Sequence, residues 1–276
     1  MEKKKLLGLV ASYRKIGNTE VVVKAIAEQM GSDWDLSLIR LPKLRIKPCK
    51  GCYACLLPGK ECRIKDDVSW IFTQLLKADA VIFSAPNYVL APVGIVKMLA
   101  DRAIQASCHY EAFKNKPTVV ALTLGKEDYR GYADTALVAQ VGALGLNVVN
   151  LHSFYGTHPG ETAMAPDFQE KIQDMSKALL APDYEKTQEA RRCPRCFSDL
   201  FRLRQEGWEC ALCKALATQE GEKLNFFHFH HEFTDEGRIE HMRWLLMKKE
   251  EYPRIKRTLK EIQNRYKEGH WLKPSS

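Results

Sequence analysis

The chain has 276 residues, of which 45% are apolar and 28% charged, and its formal net charge is +8. That is enough for one domain of ordinary size, with a real core, plus a small appendage. It excludes a membrane-spanning class, because no stretch approaches the roughly 18 apolar residues of a span. The mild basic excess suits an anionic cofactor or substrate and does not by itself imply nucleic acid.

Taken in chain order, residues 1–182 alternate apolar runs with helical patterns. The short apolar run near the amino terminus reads as a buried strand, 5–11, rather than a leader peptide. A helix is predicted over 20–30, with Val22, Val23, Ile26, Ala27 and Met30 on one side, then a strand at 36–41. Further on come a helix over 68–77 with Asp66 and Asp67 as candidate caps, a strand at 80–85 ending at Pro86, and a helix over 94–106. A buried strand at 118–123, a helix at 132–144, a strand at 148–154 and a helix at 168–180 complete the alternation. Five strand–helix repeats imply an α/β fold with a parallel sheet covered on both faces.

Residues 183–192 form a charged linker. A small module at 193–233 follows, with an aromatic strand expected over 226–231. The tail, 234–276, should be helical and capped by Thr234 or Asp235, with Pro253 kinking or dividing the helix. Ile255, Leu259, Ile262 and Tyr266 recur at helical spacing and should pack on the small module, on the main domain or on a second subunit.

Eight of the nine cysteines fall into two metal-ligand patterns. Cys49, Cys52, Cys55 and Cys62, in the loop 48–67, have the spacing C-x2-C-x2-C-x6-C, with Pro58 and Gly59 turning the chain before the last. Three thiolates on so short a loop can each reach a different iron of a [4Fe–4S] cubane. Vestigial cysteines or zinc are the alternatives. Cys193 and Cys196, then thirteen residues, then Cys210 and Cys213 match a four-cysteine zinc ribbon. Close-set thiols of this kind point to a reducing, cytoplasmic setting. Cys108, the ninth, reads as a small buried hydrophobe at a helix end. His228 and His230 read as an exposed pair rather than metal ligands.

Two loops carry the remaining functional signal. After the first strand, residues 11–19 place Ser12, Arg14, Gly17, Asn18 and Thr19 at a helix start, where hydroxyls and N–H groups form an anion site. No P-loop is present. After the third strand stand Ser84, Ala85, Pro86, Asn87, Tyr88 and Val89. These loops, with the helix at 96–102, resemble those of the flavodoxin-like NAD(P)H-dependent FMN reductase family. A four-cysteine insertion before Asp66-Asp67 resembles, more narrowly, the iron–sulfur flavoproteins of anaerobic archaea and bacteria. The likeness spans about residues 5–180.

The resemblance implies a doubly wound five-stranded sheet of order 2-1-3-4-5. FMN phosphate would lie at Ser12, Arg14, Gly17, Asn18 and Thr19, and the ring beside Pro86, Asn87, Tyr88 and Val89. Its pyrimidine end would meet Leu124 and Gly125, although that loop departs from the family's glycine-rich form. The cysteine loop emerges at the same sheet edge, so a cluster would lie near the flavin, in the same subunit or across a dimer contact.

The implied function is electron transfer between FMN and a [4Fe–4S] cluster, with a ferredoxin or NAD(P)H as donor and a homo-oligomeric assembly, dimer or tetramer. The alternatives are a cluster-free FMN or quinone reductase, and a redox-responsive module binding nucleic acid or protein. Nucleic acid is disfavoured by the near-balanced charge of residues 183–276, 19 Lys/Arg against 16 Asp/Glu. No separate catalytic constellation is legible, and a flavin would carry the electron chemistry itself.

Overall fold

The structure, a computed structural model, describes residues 2–57, 59–181, 191–229 and 235–268. Pro58, most of the linker, His230, His231 and Thr234 lie outside the described residues. Five parallel strands, β1 (Lys4–Val10), β2 (Trp34–Arg40), β3 (Ala80–Tyr88), β4 (Pro117–Leu124) and β5 (Asn147–Tyr155), stand in the order β2-β1-β3-β4-β5. Counted this way the order is 2-1-3-4-5. A two-residue strand, Ala91–Pro92, is an unforeseen addition that folds back antiparallel on the end of β3.

Side chains alternate across the sheet, so each face builds its own core. Leu7, Leu9, Val81, Phe83, Val120 and Leu122 meet helices α2 (Val68–Lys77), α3 (Gly94–Ala100) and α4 (Ala133–Ala143) on one face. Leu6, Val10, Ile82, Val119 and Ala121 meet α1 (Asn18–Met30) and α5 (Phe168–Leu180) on the other. Helix α1 packs so closely on β1 that a Cβ at Gly8 would lie 2.5 Å from Val23 Cγ1. Removing a fully buried ring such as Phe83 from a core like this costs about 3–5 kcal/mol.

Two boundaries differ from the sequence reading. Strand β3 does not end at Pro86. Pro86 pairs in register with Thr123, and its side of the ladder faces past the end of β1, whose last partner on β3 is Ser84. No N–H is needed there, and the Pro86 carbonyl accepts the Val93 N–H at 3.0 Å. The helix expected over 94–106 breaks after Ala100 and resumes only for Ala103–Ala106, because Arg102 turns inward to a buried carboxylate, Asp66.

Residues 201–228 form a four-stranded antiparallel ribbon: β6 (Phe201–Arg204), β7 (Gly207–Cys210), β8 (Leu216–Glu220) and β9 (Lys223–His228). It does not stand apart, since Phe197, at its entry, is buried in the same core as Leu137 and Val141. Helix α6 (Asp235–Arg265) continues through Pro253 without dividing; the residue is exposed, so water can meet the backbone carbonyl that loses its N–H partner. The first half of α6 docks on the main domain. Leu245 is buried, Arg238 donates to the Gly142 carbonyl and lies over the Tyr110 ring, and Lys249 donates to the Tyr53 carbonyl. Of the stripe, Ile255, Ile262 and Tyr266 are exposed and Leu259 is half-buried, so among the described residues neither the ribbon nor the main domain covers most of it. No helix among the described residues is long and apolar enough to cross a membrane.

Candidate cofactor and metal sites

The loop between β1 and α1 is fastened by a residue with no place in the sequence reading. Glu20, 6% exposed, accepts the Ile16 N–H at 2.8 Å, the Lys24 ammonium at 2.7 Å and an N–H of Arg40. Burial alone would raise its carboxyl, but these hydrogen bonds outweigh burial and hold its pKa down to about 2. Arg40 also donates to the carbonyls of Ser12 and Arg14, clamping the loop from β2. The acid in the first helical turn was a visible signal; its cationic partner, twenty residues on, gave none.

No side chain caps α1. Asn18 donates to the Gly156 carbonyl at 2.8 Å, and Thr19 Oγ1 lies 3.0 Å from Thr123 Oγ1. Ser12 Oγ accepts the Arg14 N–H, and Arg14 Nη1 donates to the Thr157 carbonyl at 2.9 Å. The polar side chains thus shape the loop, leaving the amino end of α1 as the anion-binding element.

Thr157 connects this loop to a cleft of about 470 Å³, lined by Asn87, Val89, Leu90, Leu124, Gly125, Lys126, Tyr129 and Thr157. Asn87, Val89, Leu124 and Gly125 were anticipated from sequence. Pro86 is buried in the sheet and Tyr88 is 52% exposed; neither lines the cleft. Leu90, Tyr129 and Thr157 were not foreseen, because they face the cleft only once β3, β4 and β5 end side by side.

Val89 and Leu90 form the two-residue turn joining β3 to Ala91–Pro92, both at positive φ, 51° and 68°. A β-branched residue in that region is strained, and strain of this kind gathers at binding sites. Gly131 makes room for the turn, since a Cβ there would lie 2.7 Å from the Leu90 carbonyl oxygen. The Tyr132 N–H donates to that oxygen. Asn87 Nδ2 donates to the Tyr129 carbonyl at 2.6 Å, while its Oδ1 is buried without a partner. A buried, unpaired acceptor in a cleft costs free energy unless a ligand donor meets it. The ring N–H of a flavin would do so, and a phosphate would reach the start of α1. The residues present therefore fit FMN.

Cys49, Cys52, Cys55 and Cys62 line a second cavity with Arg102, Ile104 and Gln105. Cys49 and Cys52 are exposed, Cys55 and Cys62 half-buried. Left-handed turns at Gly51, Tyr53 and Gly59 fold the loop back on itself. Its ends are clasped: Asp66 accepts the Lys47 N–H at 2.9 Å, and Asp67 accepts that of Arg45 at 2.6 Å. Burial, then the neighbouring thiols led by Cys62, push the Cys55 thiol above its ordinary pKa. Four thiols crowded this way suit a cationic metal centre that takes them as thiolates. No residue lines both this cavity and the flavin cleft.

The ribbon sulfurs are closer together. All four lie within 4.8 Å of one another, with Cys193 and Cys213 at 3.5 Å and Cys196 and Cys210 also at 3.5 Å. A tetrahedron with Zn–S of about 2.3 Å has edges of about 3.8 Å, so a single ion fits and a cubane, whose thiolates sit on four separate irons, does not. Cys193, Cys210 and Cys213 are buried. Cys108, in contrast, is exposed rather than buried, its short helical turn leaving it at the surface. His228 is exposed, as expected of a surface histidine.

The family model for NADPH-dependent FMN reductase matches residues 4–159. An iron-sulfur flavoprotein of Archaeoglobus fulgidus is 34% identical over 122 residues, 44% of this chain and 59% of that protein. A second from the same organism is 26% identical over 219 residues, 78% of this chain and 90% of that protein. One from Methanosarcina thermophila is 32% identical over 124 residues, 44% of this chain and 63% of that protein. The chain thus spans under two thirds of the first and third of these relatives. Among solved structures, a flavone reductase superposes over 98% of this chain and all of its own, with TM-score 0.67 and 18% identity, a likeness of fold.

Proposed function

The chain belongs to the NADPH-dependent FMN reductase family, and from that premise we propose that it is an iron–sulfur flavoprotein moving electrons between FMN and a [4Fe–4S] cluster. The observation that carries the reading is one arrangement. A cleft with an unpaired buried acceptor, Asn87 Oδ1, adjoins an uncapped helix start, and four cysteines line a separate cavity among loops that leave the same sheet. FMN supplies one- and two-electron chemistry when bound. Asn87 would receive a ring N–H, the Val89–Leu90 turn would cover an edge of the ring, and the amino end of α1 would hold the phosphate. The loop tie Glu20–Arg40 keeps that end in place. Cys49, Cys52, Cys55 and Cys62 would ligate the cluster. Cys193, Cys196, Cys210 and Cys213 would hold one structural zinc.

Residues 43–65, which carry the cysteine loop, include Lys43, Arg45, Lys47, Lys50, Lys60, Arg63 and Lys65, all exposed, and one exposed carboxylate, Glu61. Such a field steers an acidic electron carrier of the ferredoxin kind, with a nicotinamide donor reaching the cleft instead. The uncovered stripe Ile255–Tyr266 supports self-association. The deciding experiment is anaerobic purification with flavin, iron and zinc counted per chain. Near one FMN, about four irons and one zinc are expected. Flavin without iron would replace this reading with a cluster-free reductase, and neither would leave a binding module.

A further inference from the structure

We propose that Arg102 is a positioning residue for the metal site, fixing the direction of the Cys62 thiolate and holding a permanent positive charge beside it that favours the reduced centre. The inference rests on the reading that Cys49, Cys52, Cys55 and Cys62 hold an iron–sulfur cluster.

Arg102 is 1% exposed, and the Asp66 side chain paired with it is fully buried. Nη1 donates to Asp66 Oδ2 at 2.6 Å and to the Lys47 carbonyl at 3.1 Å. Nη2 donates to Cys62 Sγ at 3.3 Å and to Gln105 Oε1 at 2.8 Å. Gln105 is itself held by Ser69 Oγ at 2.7 Å. Both Nη groups are therefore held, which fixes the guanidinium against the sulfur.

Stability alone does not account for this. A buried ion pair roughly repays its own desolvation, and an apolar pair would serve a core as well. The helix is also broken at Asp101 and Arg102 to bring the side chain inward. The geometry has a ligand-directed meaning. Three of the cysteines come together in one short turn of chain, but Cys62 returns after six intervening residues and needs its own anchor. Hydrogen bonds to ligand sulfur and nearby charge set the potential of such centres. An added electron is one more negative charge, which a fixed cation stabilises, so the arginine raises the potential without exchanging a proton.

The test uses the full chain, purified anaerobically, as wild type, Arg102→Lys, and the neutral pair Asp66→Asn with Arg102→Gln, which leaves no buried charge unpaired. Variants that lose iron on purification are reconstituted with ferrous iron and sulfide. Readouts are iron and FMN per chain, the midpoint potential of the iron centre by redox titration, and iron loss to a chelator. Arg102→Lys should lower the potential and release iron roughly tenfold faster. The neutral pair, which loses the charge nearest the sulfur and its N–H while also losing the more distant carboxylate, should lower it as well, and FMN content should stay unchanged. Iron-loaded variants with the wild-type potential would overturn the proposal and leave Arg102 a clasp for the loop. Wild-type protein without iron would instead defeat the cluster reading before any variant is compared.

Discussion

Arg192 and Asp134 join the entry of the ribbon to helix α4: Arg192 Nη2 lies 2.7 Å from Asp134 Oδ2, and the carboxylate is 1% exposed. Asp134 Oδ1 also accepts the Ser153 hydroxyl at 2.7 Å, and Thr135, next in the helix, lies 2.8 Å from Asp199 and 3.0 Å from Ser198. The residue before the first ribbon cysteine is thus seated in the main domain.

Truncation after Leu180 should therefore destabilise the flavin domain rather than leave it unaltered. It removes Phe197 from the core and the Arg192 partner from a buried carboxylate. Asp134 keeps Arg130 at 3.4 Å and the Ser153 hydroxyl, so the loss should be smaller than the roughly 3–5 kcal/mol of a buried charge left wholly unpaired. Urea unfolding should show it for Arg192→Ala, and Asp134→Asn combined with Arg192→Ala should recover part of the loss. Equal stability of Arg192→Ala and wild type would rule out the coupling.

Replacing Asn18 and Thr19 together with alanine removes the ties to Gly156 and Thr123. Two lost hydrogen bonds at about 1 kcal/mol each should weaken FMN binding by at least tenfold, measured by quenching of flavin fluorescence, while circular dichroism is unchanged. Full occupancy in the double variant would remove the loop from the phosphate site.

Glu20 predicts a particular acid limb. Its folded pKa, about 2, lies below the ordinary value of 4.5. Its contribution is then fully present above pH 4.5 and is lost as pH falls toward 2. Glu20→Gln should be less stable than wild type at neutral pH, and the gap should close over that interval. A gap that stays constant down to pH 2 would show that the carboxylate does not fasten the loop.

Cys193→Ser with Cys210→Ser should abolish zinc binding and make residues 193–229 protease-sensitive, because a module of this size has little core without its metal. Zinc content and protease resistance equal to wild type would refute a metal-held ribbon.

Replacing Lys50, Lys60 and Arg63 with glutamine should slow reduction by an acidic ferredoxin and flatten its dependence on salt, with the rate for a nicotinamide donor unchanged. Identical salt profiles would place the docking surface elsewhere.

The sequence by itself determined what local patterns encode. Alternating apolar periods implied a parallel sheet covered on both faces, its strand order coming from the family resemblance, and the helix start at Gly17–Thr19 marked the anion loop. Both cysteine quartets were legible because their ligands lie close along the chain. Tertiary structure alone decided the rest. Arg40 with Glu20, Arg102 with Cys62 and Arg192 with Asp134 are separated by 20, 40 and 58 residues. No period or motif links such partners; they meet only because strands and helices pack at one edge. The same holds for exposure. Its place at a helix end put Cys108 inside, and helical spacing put the stripe Ile255–Tyr266 on the ribbon, the main domain or a second subunit; burial depends on what packs over a residue, and among the described residues Cys108, Ile255, Ile262 and Tyr266 are exposed.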